Sequence, residues 1–186
     1  MNKEFTLSIF SEDHIGILNQ ITIILTRRQI NIDSITASES AVKGVHLITI
    51  VVKTNDELIK KVVKQMEKLI DVLKVFYHTS EEIVYQEIAL YKVSTKLMMS
   101  GNIVDTVVRS YGGRIVEITP EYMIIEKTGH KDEIIQFLEY LEKYGVLQFV
   151  RSGRVAITRQ VKELNSYLRE MDGASRSKLQ EMSSVN

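Results

Sequence analysis

Alternation of side-chain character sets the main constraint on what this chain can fold into. Residues 4–10 place Phe5, Leu7 and Ile9 on one face and Thr6 and Ser8 on the other, the period of a half-buried strand. A helical spacing then takes over to about residue 28, with Ile17, Leu18, Ile21, Ile24 and Leu25 on one face. Residues 31–38 and 45–53 read as two further strands, joined at Val42-Lys43-Gly44 as a hairpin. The second of these is apolar at nearly every position, as central or interfacial strands are. Thr54-Asn55-Asp56-Glu57 supplies a cap and an acidic first turn, after which Leu58, Val62, Met66 and Leu69 recur at helical spacing. Residues 71–78 form a closing strand.

Strand, helix, strand, strand, helix, strand is the order of a ferredoxin-like unit, in which two helices cover one face of an antiparallel sheet. Residues 79–84 break the pattern with two acids, and the same order then returns. A strand is expected over 86–94. A helix follows over 102–111, with Ile103, Val107 and Tyr111 on one face, and Gly112-Gly113 ends it. Residues 114–119 and 122–127 read as a hairpin turned at Pro120-Glu121. A helix over 131–143 carries Ile134, Phe137, Leu138 and Leu141, and residues 146–150 form the last strand of the set. Val155-Ala156-Ile157 can add an edge strand. The element order repeats while the residues do not. The expectation is an α+β chain of two ferredoxin-like βαββαβ domains, 1–78 and 85–159, with a linker at 79–84. A polar tail follows over 160–186, where Val161, Leu164, Leu168 and Met171 fit one amphipathic helix and residues beyond Gly173 read as disordered.

Composition narrows the function. Lys and Arg number 24 and Asp and Glu 24, so the chain lacks the basic footprint of a nucleic-acid binder. An RNA-binding βαββαβ module also needs aromatics on its middle strands, and Val45-His46-Leu47-Ile48-Thr49-Ile50 is aliphatic there. No apolar run approaches the length of a membrane span, and the N-terminus shows no basic region followed by an apolar block. The absence of cysteine removes disulfides, thiolate metal sites and a Cys nucleophile. A cytoplasmic protein, with neither membrane nor nucleic-acid partner, is expected. Phosphate-binding glycine loops and nucleophile elbows are missing, and His14, His46, His78 and His130 are too scattered to suggest a metal site.

The informative stretch is Asp13-His14-Ile15-Gly16-Ile17-Leu18, at the junction of the first strand and first helix. A helix N-terminus presents unpaired amides and the positive end of the dipole, which suit a carboxylate. Gly16 lets a ligand approach the backbone, and Asp13 can accept from an ammonium group. The arrangement suits an amino-acid zwitterion. It equally suits a helix that Asp13 merely caps and where Gly16 relieves crowding. Asn31 is placed either to close the helix–strand loop or to reach a ligand through its amide. Arg151-Ser152-Gly153-Arg154 reads as a solvated bend, with anion or partner binding as the alternative.

Asp13-x-x-Gly16-x-Leu18 followed by Asn31-Ile32 in a βαββαβ unit resembles an ACT domain, a small amino-acid-sensing module. The resemblance narrows further. Asn31-Ile32-Asp33-Ser34-Ile35-Thr36, Glu87-Ile88-Ala89-Leu90-Tyr91-Lys92-Val93, Gly113-Arg114-Ile115-Val116-Glu117-Ile118-Thr119-Pro120 and Arg151-Ser152-Gly153 are similar to signatures of the acetolactate synthase small (regulatory) subunit family, in the family's order. The resemblance covers roughly residues 3–159.

The resemblance implies a chain with no active site and no cofactor of its own. Such subunits bind the catalytic (large) subunit of acetolactate synthase, which holds thiamine diphosphate, magnesium and FAD. They raise its activity and confer feedback inhibition by L-valine in branched-chain amino-acid synthesis. It further implies an ACT-mediated homodimer with the effector in the seam, where Asp13, Gly16, Ile17 and Leu18 of one chain face Asn31 of the other. A free-standing ACT-type sensor of another protein is the alternative reading. The family often carries Asn where Asp13 stands, small or polar residues at His14-Ile15, and a glycine just before Asn31-Ile32, where this chain has Gln29-Ile30.

Overall fold

The computed structural model describes residues 2–99, 108 and 110–160. Four strands, β1 (Lys3–Glu12), β2 (Ile32–Glu39), β3 (Val45–Thr54) and β4 (Val72–His78), form a first sheet in the order β2-β3-β1-β4. Every neighbouring pair is antiparallel. Two helices, α1 (Ile17–Thr26) and α2 (Asp56–Met66), lie on one face of it. The alternation read from the sequence decides which side chains meet them. Phe5, Leu7 and Ile9 of β1 and Ile48, Ile50 and Val52 of β3 pack with Ile17, Ile21, Ile24 and Leu25 of α1. Ile59, Val62, Val63 and Met66 supply the α2 side, while Leu58 and Leu69 are only partly buried at its margin. Asn55 caps α2, its Oδ1 accepting from the Leu58 amide at 2.8 Å.

Helix α1 closes without a glycine. Gln29 takes φ 56°, the left-handed region, and donates its amide to the Thr26 carbonyl at 2.9 Å. Ile30 donates to the Leu25 carbonyl at 3.1 Å, and both of these side chains are buried. This is a Schellman closure with Gln29 at its left-handed position.

The second sheet has the order β6-β7-β5-β8, built from β5 (Ile83–Ser94), β6 (Arg114–Ile118), β7 (Tyr122–Gly129) and β8 (Val146–Arg151). Strand for strand this repeats the first sheet's order. Strand β5 also pairs through Ile83–Gln86 with β9 (Val155–Thr158), the added edge strand. That pairing draws β5 back to Ile83, inside the stretch expected as linker. A short α3 (Thr95–Met99), not anticipated, follows β5. Helix α4 (Lys131–Glu142) contributes Ile134, Phe137 and Leu141 to a separate core with Ala89, Tyr91, Val93, Met123 and Ile125. Leu138 packs at its edge. Tyr91 is fully buried and donates to the Ile134 carbonyl at 2.8 Å. Of the helix expected over 102–111, residues 102–107 and 109 lie outside the described residues. So does the tail helix from Val161. Gly112 has φ 67°, and Gly113 donates to the Val108 carbonyl at 2.7 Å, in keeping with a glycine helix end there.

Among the described residues no helix is long and apolar enough to cross a membrane. No group of three or more His, Asp or Glu is placed to hold a metal ion there either.

Candidate functional site

Strand β1 delivers its C-terminal end directly into the Asp13–Gly16 turn, and α1 starts at Ile17. Gly16 is the N-cap residue, with φ 92° and ψ −4°. A Cβ there would meet nothing within 4 Å. The glycine is therefore required by backbone conformation and does not relieve crowding. Nor does Asp13 cap α1, since the N-cap is Gly16 and no side chain bonds to the helix start. The Ile17 amide reaches the His14 carbonyl at 3.3 Å, and the first intrahelical bond runs from Gln20 to Gly16 at 3.1 Å. The Leu18 and Asn19 amides precede that bond, so they head the helix as its free donors. Ile17 is buried in the core, while Leu18 is 42% exposed and Ile15 98% exposed.

Two acid–histidine pairs flank the turn. His46 Nε2 of β3 lies 3.7 Å from Asp13 Oδ1, and His14 Nδ1 lies 3.3 Å from Asp71 Oδ2. The Asp13 carboxylate is 72% exposed. The surroundings of the turn thus combine free amides, open space above a glycine, an accessible carboxylate and uncovered aliphatic side chains. Neither histidine pairing was visible in the sequence, because His46 arrives from β3 and Asp71 from the turn before β4.

Asn31 is not brought to this turn. It precedes Ile32, which pairs with Val52, which in turn pairs with Phe5 at the other end of β1. The turn follows Glu12, seven residues further along β1, or about 23 Å at a rise of about 3.3 Å per residue. Because β2 runs parallel to β1 with β3 between them, one chain holds Asp13–Leu18 and Asn31 at opposite ends of its sheet.

Arg151-Ser152-Gly153-Arg154 is not a solvated bend. Arg154 is 3% exposed and lies against the face of the first sheet that carries no helices. Its Nη1 donates to Thr6 Oγ1 at 2.8 Å, its Nη2 reaches Glu4 Oε1 at 2.8 Å, and its guanidinium stacks 3.7 Å above the Tyr85 ring. Arg151 Nη1 is 2.6 Å from Glu87 Oε2, and Ser152 Oγ accepts from the Ile88 amide at 2.9 Å. Composition predicts exposure for such a polar tetrad; Arg154 alone of the four is buried, because two sheets close over it and supply its partners.

Two ferredoxin-like sheets, the first with a left-handed glycine heading its first helix, define an ACT-type regulatory architecture. Comparison with known proteins agrees. Residues 7–74 match the model described as the AHAS small subunit-like ACT domain, and residues 86–160 match the small subunit of acetolactate synthase. The acetolactate synthase small subunit of Bacillus subtilis is 33% identical over 164 residues, covering 86% of this chain and 91% of that one. That of Mycobacterium bovis is 30% identical over 157 residues, covering 84% and 93%. The crystal structure of the Thermotoga maritima small subunit superposes with a TM-score of 0.77 at 31% identity, covering 85% of this chain and 98% of that one. The chain belongs to the acetolactate synthase small-subunit family.

Proposed function

We propose that this chain is a non-catalytic regulatory subunit that binds the catalytic subunit of acetolactate synthase, raises its activity and makes it sensitive to L-valine. The thiamine diphosphate, magnesium and FAD of the reaction belong to that partner, and the complex works in the cytoplasm. The observation that carries the reading is the open, left-handed Gly16 at the head of α1, beside the exposed Asp13 carboxylate. A valine carboxylate meets the amides at the Gly16–Leu18 head of α1, where Leu18 and Asn19 are the free donors, its ammonium meets Asp13, and its isopropyl group meets apolar side chains such as Ile17.

One chain supplies only half of this site. With Asn31 at the far end of the sheet, a two-fold homodimer is the arrangement that sets Asn31 of one chain against Asp13–Leu18 of the other. The exposure of Ile15 and Leu18 supports a covered seam. Valine bound in such a seam changes enzyme activity only by preferring one arrangement of the subunits over another.

Calorimetric titration with L-valine, with D-valine as control, tests the reading. Saturable, stereospecific binding near one valine per chain or per dimer is expected, together with its loss in Gly16→Asp. An aspartate there fills the open space and repels the carboxylate. Full L-valine binding by a folded Gly16→Asp chain would place the site elsewhere.

A further inference from the structure

We propose that Arg154 is a positioning residue that transmits effector occupancy from the first sheet to the second. The proposal rests on the reading above and concerns how that site communicates.

Four observations converge on Arg154. Its guanidinium joins residues far apart in the chain, touching Glu4 and Thr6 on β1 and stacking on Tyr85 of β5. Its neighbour Gly153 lies against β2, where a Cβ would stand 3.0 Å from the Ile35 carbonyl oxygen. The two strands so engaged are the two that carry the site. Strand β1 ends in the Asp13–Gly16 turn, and β2 begins beside Asn31, only four residues before Ile35. A displacement of β2 therefore reaches the Gly153 backbone directly, and one of β1 reaches the Arg154 guanidinium.

The fourth observation concerns slack. Glu87 is buried between two arginines and bonds only one of them. Its Oε2 is 2.6 Å from Arg151 Nη1, while its Oε1 is 4.0 Å from Arg154 Nε. Arg154 Nε is buried without a hydrogen-bond partner among the described residues, and so is Thr36 Oγ1. Leaving a buried donor unpaired is costly, so a nearby arrangement that pairs it competes closely with the one seen. A movement of about 1 Å brings Nε to a normal hydrogen-bond distance from Glu87. In the proposal the first sheet has two arrangements against the second, the one seen with Arg154 open to Glu87 and one with it closed on Glu87. Coupling between sites requires such a pair of discrete states, each biased by one ligand. Valine acts by favouring one of them.

A residue that only holds the fold together lowers stability when replaced and leaves communication between sites intact. Thermodynamic reciprocity separates the two roles. If the catalytic subunit and valine are coupled through this chain, the catalytic subunit changes valine affinity by the same factor as valine changes catalytic-subunit affinity.

The experiment measures the L-valine dissociation constant of the full chain, alone and with saturating catalytic subunit, for wild type, Arg154→Met and Thr6→Val. Thr6→Val keeps Arg154 and its Glu4 ion pair, so it carries the test should Arg154→Met fail to fold. The wild-type ratio is expected within the roughly 5–150-fold range of allosteric couplings, falling to within about twofold of unity in Arg154→Met and to an intermediate value in Thr6→Val. Valine binding by the isolated variants should match wild type. A wild-type ratio preserved in folded Arg154→Met, or in Thr6→Val if the first does not fold, overturns the proposal and leaves the effector site standing. No L-valine binding by wild type, alone or with the catalytic subunit, overturns the effector reading and this inference together.

Discussion

Gly153 abuts Thr36. A Cβ at Gly153 would overlap the Thr36 hydroxyl and stand 3.0 Å from the Ile35 carbonyl oxygen, so the chain crosses β2 only because no side chain is present there. Gly153→Ala should destabilise the protein by about 1–3 kcal/mol, the range for overpacking a tight contact. Thr36→Ala removes a buried hydroxyl that has no hydrogen-bond partner among the described residues, and in the Gly153→Ala background it should recover part of the loss. Full recovery is not expected, because the Ile35 carbonyl is backbone. Urea denaturation of both single variants and the double variant gives the coupling directly.

Replacing Gln29 by glycine should stabilise the chain. A left-handed conformation costs a residue with a Cβ about 1–2 kcal/mol, and glycine's greater freedom in the unfolded state returns about 0.5–1 kcal/mol of that. A net gain of roughly 0.5–1 kcal/mol is expected in thermal or urea unfolding. Unchanged or lowered stability in Gln29→Gly would show that the Gln29 side chain contributes more than its strained backbone costs.

Tyr91 sets an alkaline limit. Burial pushes its hydroxyl well above the ordinary tyrosine range. A folded-state pKa above the unfolded value means that stability is fully present below about pH 10 and is lost as pH rises toward the folded pKa. Tyr91→Phe should lose about 1 kcal/mol near neutrality, for the bond to the Ile134 carbonyl, and show a shallower decline above pH 10. Unfolding free energies measured from pH 7 to 11 check both signs. An equally steep alkaline limb in the variant would assign the decline to other groups.

Asn55→Ala should cost about 1 kcal/mol, the usual consequence of losing a helix N-cap, since its Oδ1 bonds the Leu58 amide at 2.8 Å. Asn55→Asp or Asn55→Ser, which keep a capping oxygen, should be close to neutral. Circular dichroism melts of the three variants distinguish the cap from any other contact of Asn55.

Much of the fold was legible because its signals are local. The alternation of Phe5, Leu7 and Ile9 and the helical spacing of Ile17, Ile21, Ile24 and Leu25 read out burial correctly, with Leu18 of the same expected face left 42% exposed, since strand and helix periods force side chains to one face whatever lies opposite. On α2 the predicted Val62 and Met66 are buried, but the stripe extends to Ile59 and Val63 and leaves Leu58 and Leu69 partly buried, because the sheet the helix rests on decides which flank of an amphipathic helix is covered. The short α3 carries too few residues for any period to show. In the sequence Arg154 reads as solvated because a guanidinium is ordinarily exposed; Glu4, Thr6 and Tyr85, which make its burial tolerable, stand far from it in the chain.

Sequence alone determined most of the order of elements, the faces that β1 and α1 bury and a cap at Thr54-Asn55, because each follows from spacing and backbone sterics within a few residues. Tertiary structure alone decided where the two halves of the candidate site stand. Asn31 and the Asp13–Gly16 turn lie at opposite ends of one sheet because β3 separates two parallel strands, and strand order is fixed by packing and pairing between distant segments. The same long-range pairing sets Arg154 between two sheets. No local pattern encodes that position, since the free energy that fixes it comes from partners brought together only when the chain folds.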